Sequence, residues 1–228
     1  MEGGRWPESS LLAELPENSR TILLRLGVPV EFPTGKALLR EGEASRHLVL
    51  LTHGITKVTA GGEDGKVALL AVRVAGDLVG EMASLDGEPR SATVTAAGRV
   101  VGRVITHADF NAYLRSHPAA GIAVSRAVVG KLRWANRRRV DFTGCEVHVR
   151  LARVLNELAR SYGKDTAGGI VVGVALTQPE LAGLVGAGEI TVHRALADLR
   201  RRQILTTGYR QIVITDPDQL EAAAEPAA

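Results

Sequence analysis

A series of short, β-prone apolar runs follows one another between Val28 and Thr106, and glycine turns separate most of them. Short runs rich in β-branched residues and bounded by glycine are typical of strands. The predicted strands are 28–32, 36–40, 48–51, 55–59, 67–74, 92–95 and 100–105, with turn signals at Gly35, Gly42, Gly54, Gly61-Gly62 and Asp64-Gly65. This spacing predicts an antiparallel barrel or jelly roll.

With 228 residues the chain is long enough for two domains that each bury a core. Its single cysteine, Cys145, allows no disulfide framework or Cys/His metal cluster, and we expect it to be inert. No apolar run approaches the roughly 20 residues needed to cross a bilayer, and residues 1–7 lack the basic-then-apolar order of a signal peptide. We therefore expect a cytoplasmic protein with no membrane partner.

Residues 76–92 gather glycines, acids and one arginine between two apolar runs. Gly80 lets backbone amides approach an anion, Glu81 supplies two acceptor oxygens, and Arg90 supplies a planar cation that matches phosphate, with the Ser91 hydroxyl beside it. A carboxylate would repel an isolated phosphate, so the suitable ligand carries a hydroxyl near its phosphate, as a nucleotide sugar phosphate does. The alternative is that Glu81 and Arg90 form an ordinary surface ion pair.

Two tetrapeptides in this stretch, Gly80-Glu81-Met82-Ala83 and Pro89-Arg90-Ser91-Ala92, resemble the phosphate-binding cassette of the cyclic-nucleotide-binding domain in the Crp/Fnr family of bacterial transcription regulators. The likeness extends along the predicted strands, including Gly42-Glu43, Gly54 and Gly76-Asp77. The resemblance implies that Glu81 accepts from a ribose 2′-hydroxyl and that Arg90 and Ser91 hold a cyclic phosphate. It implies cAMP or cGMP as the effector, bound by Gly80, Glu81, Met82, Ala83, Arg90 and Ser91.

A short helix is predicted over 107–115, ending at His117-Pro118, and a long helix over 118–142. A seam of residues recurs along the long helix at alternating three- and four-residue steps: Ile122, Ser125, Val129, Leu132, Asn136 and Arg139. Such a seam pairs with a copy of itself, so we infer a parallel homodimer. The alternative is that the same stripe packs on its own β-roll.

The resemblance also implies that two adjacent positions of this helix, here Ala135 and Asn136, meet the nucleotide base. Asn136 offers a donor and an acceptor to a base edge. Ala135 offers neither, where cAMP-responsive members of the family usually have a hydroxyl. The identity of the base, and cyclic-nucleotide binding itself, are therefore open, and residues 137–139 could form only a solvated face.

The C-terminal part of the chain predicts a winged helix-turn-helix. An amphipathic helix at 149–160 precedes a glycine-rich turn and a β run at 170–175. The capping box Thr177-Gln178-Pro179-Glu180 opens a helix, a turn follows at 186–188, and a second helix spans 189–203 with Ile190, Leu196 and Leu199 facing inward. A hairpin of 204–207 and 210–215 forms the wing, and the tail after Asp218 is predicted to be frayed helix or disordered.

Helix pairs of this kind also occur in proteins that never touch DNA, but residues 176–196 are similar to the Crp-type DNA-binding domain throughout. The family commonly starts its recognition helix with Ser-Arg-Glu, where this chain has Gly188, Glu189 and Ile190. We expect Arg194 to contact a base, and Gln178, Thr191 and the wing to contact phosphates. Glu189 could accept from a cytosine amino group or repel phosphate. The DNA-binding set is Gln178, Gly188, Glu189, Thr191 and Arg194.

The predicted fold class is α+β: an N-terminal antiparallel β-roll effector domain (1–117), a central dimerisation helix and hinge (118–144), a winged helix-turn-helix (145–217) and a tail (218–228). The predicted function is that of a homodimeric transcription regulator that binds a palindromic operator under the control of a cyclic nucleotide. A regulator that answers to another effector or to none is the alternative. RNA polymerase is a further candidate partner.

An enzyme is the competing class, and the sequence does not favour it. No Ser/His/acid set, zinc motif or P-loop is present, and the six histidines are scattered without ligand spacing. No axial-ligand pattern supports a haem sensor. We therefore expect no catalytic residues and no metal site.

Overall fold

The computed structural model describes residues 6–7, 10–62 and 67–225, and the chain divides into two compact units, Met1–Leu132 and Arg133–Ala228. The predicted turn at Asp64-Gly65 lies outside the described residues. The division falls within the long helix, so the four-part domain scheme of the sequence analysis stays a prediction. No helix in the described ranges is both long enough and apolar enough to cross a membrane.

The first unit contains two four-stranded antiparallel sheets, which confirms the predicted class. One has the strand order β1-β8-β3-β6 and the other β2-β7-β4-β5. The strands are β1 (Val28–Phe32), β2 (Ala37–Leu39), β3 (Leu48–His53), β4 (Ile55–Gly61), β5 (Val67–Val74), β6 (Leu78–Val79), β7 (Thr93–Ala96) and β8 (Val100–Ile105). Among the described strands of this unit, only the two-residue strand β6 was missed, because two residues carry no periodic signal.

Strand β3 is buried on both of its faces and joins two cores. Leu48 and Leu50 pack into a cluster with the helices, whereas Val49 and Leu51 pack into a cluster lined by both sheets. This division follows from the two-residue period of a strand, which points successive side chains to opposite faces.

The described residues of the first unit form, wholly or in part, the helices α1 (Leu11–Glu14), α2 (Glu17–Leu23), α3 (Glu81–Asp86), α4 (His107–Ser116) and α5 (Pro118–Gly144). Pro16 separates α1 from α2, as predicted. Helix α5 turns Ala120, Ala123 and Val124 into the helical core. The predicted seam faces outward instead, since Ile122, Val129 and Leu132 are about half exposed or more. The alternative that this stripe packs on its own β-roll is therefore wrong.

The second unit contains the rest of α5, then α6 (Val147–Tyr162), α7 (Gln178–Val185), α8 (Glu189–Arg201) and α9 (Pro217–Ala222). Its strands are β9 (Lys164–Thr166), β10 (Gly169–Val171), β11 (Leu205–Gly208) and β12 (Gln211–Ile214), in the order β11-β12-β10-β9. The predicted wing hairpin is thus half of a four-stranded sheet.

Of the two alternatives predicted for the tail, frayed helix or disorder, the described residues form a helix that ends at Ala222. Helix α9 begins at a proline and is capped by Asp216, whose side chain accepts from the backbone amide of Gln219. Leu220 is fully buried, and its carbonyl accepts from the side chain of Asn156 on α6. One buried leucine and a cap are enough to dock this short helix, which is why the helical alternative holds and the disordered one does not.

Candidate functional site

Arg90 lies at the centre of the predicted cassette and is almost fully buried, with 4% of its surface exposed. Its guanidinium donates to three protein oxygens: Gly80 O at 2.9 Å, His47 O at 2.5 Å and Ser45 Oγ at 3.1 Å. Burial lowers the pKa of Arg90 below its usual value, and the nearby carboxylates of Glu43 and Glu81 offset only part of this effect. The site therefore holds a shielded cation that is oriented by the backbone.

Gly80 makes the approach of Arg90 possible. It has a φ of 83° and precedes α3 as its N-cap. A Cβ at this position would lie 2.6 Å from Arg90 Nη1 and 3.0 Å from His47 O. The sequence interpretation of this stretch as turn-rich missed α3, because the six-residue helix is too short to show a helical period.

Replacing Gly80 with alanine should destabilise the first unit more than the same change at Gly35. The two glycines have nearly equal φ values, +83° and +80°, so both substitutions carry the left-handed strain of about 1–2 kcal/mol. Only at Gly80 does the new Cβ meet Arg90, which adds about 1–3 kcal/mol of overpacking, whereas nothing lies within 4 Å of a Cβ at Gly35. Urea unfolding of the two variants measures the difference. Equal losses of unfolding free energy would contradict the role of Gly80 in making room for Arg90.

Glu81 is the second buried charge of the site, with 6% of its surface exposed. Its Oε1 accepts from Lys131 Nζ at 2.8 Å, and the same ammonium group donates to Leu78 O at 3.1 Å. Lys131 lies on α5, so this ion pair joins the cassette to the central helix within the first unit. The sequence analysis missed Lys131, which lies beside the seam residue Leu132 and matches no motif.

The remaining cassette residues have different environments. Ser91 and Met82 are exposed, and Ser91 Oγ lies 3.8 Å from Met82 Sδ. Ala83 is 3% exposed, so its methyl group packs in the core and only its backbone could serve a ligand. The structure thus brings Gly80, Glu81 and Arg90 together, with Ser91 at the surface beside them.

A second polar link holds helix α3 in place. Ser84 Oγ lies 3.0 Å from His107 Nδ1, and His107 Nε2 lies 2.8 Å from Asn111 Nδ2. The Ser84 hydroxyl is buried, with 2% of the residue exposed, and both imidazole nitrogens have partners. This set fastens α3 to α4 and does not present a nucleophile at the surface.

Ala135 and Asn136 lie on the part of α5 that belongs to the second unit, and both are exposed. Asn136 lines a groove of about 640 Å³ that also includes Trp134 and Arg138. The Arg138 guanidinium stacks 4.5 Å from the centre of the Trp134 ring, and burial lowers the pKa of Arg138 to about 10. The proposed solvated face is thus correct for Arg137 and Arg139 and wrong for Arg138.

The helix-turn-helix forms as its capping and turn residues predict. The Thr177 side chain and Glu180 make a reciprocal capping box at the start of α7. Gly186 ends α7 with a φ of 65°, and a Cβ there would fall within the Phe142 ring, so only glycine fits the turn.

Helix α8 has one buried and one exposed face. Val192, Leu196 and Leu199 are buried, whereas Ile190 is 71% exposed, so the prediction that Ile190 faces inward was wrong. Val192 takes the inward position because it precedes Leu196 by four residues, one turn of the helix. The five residues predicted to contact DNA are all exposed: Gln178, Gly188, Glu189, Thr191 and Arg194.

Within the described ranges, no group of three or more His, Cys, Asp or Glu side chains is arranged to hold a metal ion. Cys145 is half-buried, and its Sγ lies 3.4 Å from Arg153 Nη1.

Comparisons with known proteins match both domains. The model of the cyclic nucleotide-binding domain matches residues 29–117, and the model of the Crp-like helix-turn-helix domain matches residues 149–223. The "CRP-like cAMP-activated global transcriptional regulator" of Mycobacterium tuberculosis is 30% identical over 196 residues, which cover 86% of this chain and 88% of that protein.

Solved structures show the same fold. A CRP-family transcriptional regulator from Thermus thermophilus is 26% identical, with a TM-score of 0.71 over 86% of this chain and 96% of its own. The c-di-GMP-responsive global regulator CLP of Xanthomonas campestris is 18% identical, with a TM-score of 0.74 over 87% and 99% of the two chains. Because two domain models match it and the mycobacterial relative is 30% identical to it, the chain belongs to the Crp/Fnr family of transcription regulators.

Proposed function

We propose that the protein is a cytoplasmic, homodimeric regulator whose affinity for DNA is controlled by a cyclic nucleotide such as cAMP, bound at the β-roll. The observation that carries this is a buried guanidinium and a buried carboxylate within one cassette, held by different protein partners. Arg90 and Glu81 flank Gly80, and each is less than a tenth exposed. A ligand with an anionic phosphate and an adjacent hydroxyl matches both groups, because the phosphate can accept from the guanidinium and the hydroxyl can donate to the carboxylate.

The structure also supports a second candidate, a regulator of the same family that answers to another effector or to none. Lys131 already pairs with Glu81, and the Arg90 guanidinium already donates to protein oxygens. A site whose buried charges are satisfied by protein groups is stable without a bound ligand. Ala135, which offers no hydrogen bond to a base, favours the same candidate.

Calorimetric titration of the protein with cAMP and with cGMP separates the two candidates. A cyclic-nucleotide effector should bind and should raise the melting temperature in proportion to saturation, as any ligand specific for the folded state must. If the protein shows no binding and no stabilisation at millimolar concentrations of both nucleotides, cAMP and cGMP are excluded as effectors and the second candidate is favoured.

Control of DNA affinity requires two dimer geometries. The cassette contacts α5 through the Glu81–Lys131 pair, and α5 carries the exposed apolar seam. A ligand that changes this contact would favour one arrangement of the paired helices over another, and so one placement of the two winged helices. A two-fold dimer implies a palindromic operator with half-sites one helical turn, roughly 34 Å, apart. RNA polymerase remains a proposed partner.

Replacing Arg194 with alanine should weaken specific DNA binding by about 1–3 kcal/mol and relax the preference at one base pair of each half-site. Arg194 is exposed on α8, so its loss should leave folding unchanged. Gln178→Ala is the comparison variant, because loss of a phosphate contact weakens binding to all sequences alike. Selection from random duplexes measures both, and an unchanged preference in the Arg194 variant would remove its base-reading role.

A further inference from the structure

Ile190 is a large apolar side chain that the fold of the second unit does not use. It is 71% exposed, on the face of α8 opposite Val192, Leu196 and Leu199. A β-branched residue also gives a helix no advantage at an exposed position. Neither the core nor local helix stability therefore accounts for an isoleucine here.

The surroundings of Ile190 identify the kind of surface that would cover it. Exposed residues at helical spacing, His193 and Arg194, share its face, and Glu189 precedes it. This face belongs to the second helix of the helix-turn-helix, the element that enters the major groove of DNA in such motifs. The base edges there offer polar groups almost throughout, and the apolar exception in unmodified DNA is the C5 methyl group of thymine.

We propose that Ile190 selects a thymine in each operator half-site by packing on its methyl group. This inference rests on the proposed DNA binding and adds a sequence preference to it. Ile190 and Arg194 are four residues apart on α8, which is about 6 Å along the helix axis. Base pairs are about 3.4 Å apart, so the thymine lies within about two base pairs of the base that Arg194 contacts.

Replacing thymine by deoxyuridine tests this, since the substitution removes the methyl group and keeps every hydrogen-bonding group. A duplex is first selected from a random library by the full-length protein, with and without millimolar cAMP or cGMP. Each thymine pair in its two half-sites is then replaced by deoxyuridine in turn. One substitution should weaken wild-type binding about fourfold per half-site, the effect of exposing roughly one methyl group.

Ile190→Ala supplies the matched arm of a double-mutant cycle. The variant should bind the thymine duplex more weakly than wild type and should show no further loss on the deoxyuridine duplex, because the methyl contact is already gone. Its unfolding midpoint should equal that of wild type, since the side chain is exposed. Ile190→Val, which keeps a branched apolar group, should retain most of the sensitivity to deoxyuridine.

The outcomes are distinguishable. Tight, sequence-selective binding that is insensitive to deoxyuridine at every thymine would overturn the role of Ile190 and leave DNA binding intact. If deoxyuridine lowers the affinity of wild type and of Ile190→Ala by the same factor, the role of Ile190 is overturned as well. A protein that retains no duplex under either condition would contradict the proposed function, and this inference with it.

Discussion

Replacing Arg90 with alanine should abolish measurable binding of a cyclic nucleotide. Arg90 has only 4% of its surface exposed, so it would meet a phosphate in a setting shielded from water. A charge-assisted hydrogen bond there contributes roughly 1.5–3 kcal/mol, and its loss also leaves a desolvated anion without a partner. Both effects act against binding, and isothermal titration of the variant should show no heat of binding.

Arg90 also has a structural role, so this experiment needs a control for folding. Alanine would remove the bonds to Gly80 O and His47 O as well as the charge. Ser45→Ala is the matched control, because it removes one partner of the guanidinium, at 3.1 Å, and keeps the cation. We expect Ser45→Ala to keep nucleotide binding. Full affinity in a folded Arg90→Ala protein would show that the phosphate binds elsewhere.

Two further variants locate the other end of the ligand. Glu81→Gln keeps an acceptor oxygen and loses the charge, so it should weaken binding by less than Arg90→Ala does. Because Lys131 is paired with Glu81, the same change leaves a partly buried ammonium with a weaker partner. Asn136→Ala should alter the preference between cAMP and cGMP while the phosphate contact is kept.

Replacing Leu132 with arginine should convert the protein to a monomer. Leu132 is 58% exposed in a single chain and belongs to an apolar seam with Ile122 and Val129. In a parallel pair of α5 helices the two substituted residues would face each other, and two like charges in a desolvated seam cost several kcal/mol. Sedimentation velocity measures the loss of the dimer, and operator affinity should fall with it.

Leu132→Ala is the control for this change. It shortens the side chain without adding charge, so it should weaken the dimer and leave it detectable at micromolar concentration. The side chain is exposed in the monomer, so neither variant should unfold the first unit. A monomeric wild-type protein would end the proposal that α5 is the dimer interface.

The sequence by itself determined most of the secondary structure. Glycines with positive φ, such as Gly35 and Gly54, divided the β-roll at the right places, and Pro16 separated the first two helices. The Thr177 capping box and Gly186 located the helix-turn-helix. These signals are local, because a turn or a cap depends on the conformation of one or two residues, and so they can be recognised without the rest of the fold.

Tertiary structure decided the partners of the charged groups and the direction of the apolar ones. Lys131 is 50 residues from Glu81, and Ser45 and His47 are more than 40 residues from Arg90, so no local pattern predicts these contacts. Ile190 was predicted to face inward because apolar periodicity identifies the apolar face of a helix but not which residues at the border of that face are buried. The packing of α8 buried Val192 and left Ile190 exposed.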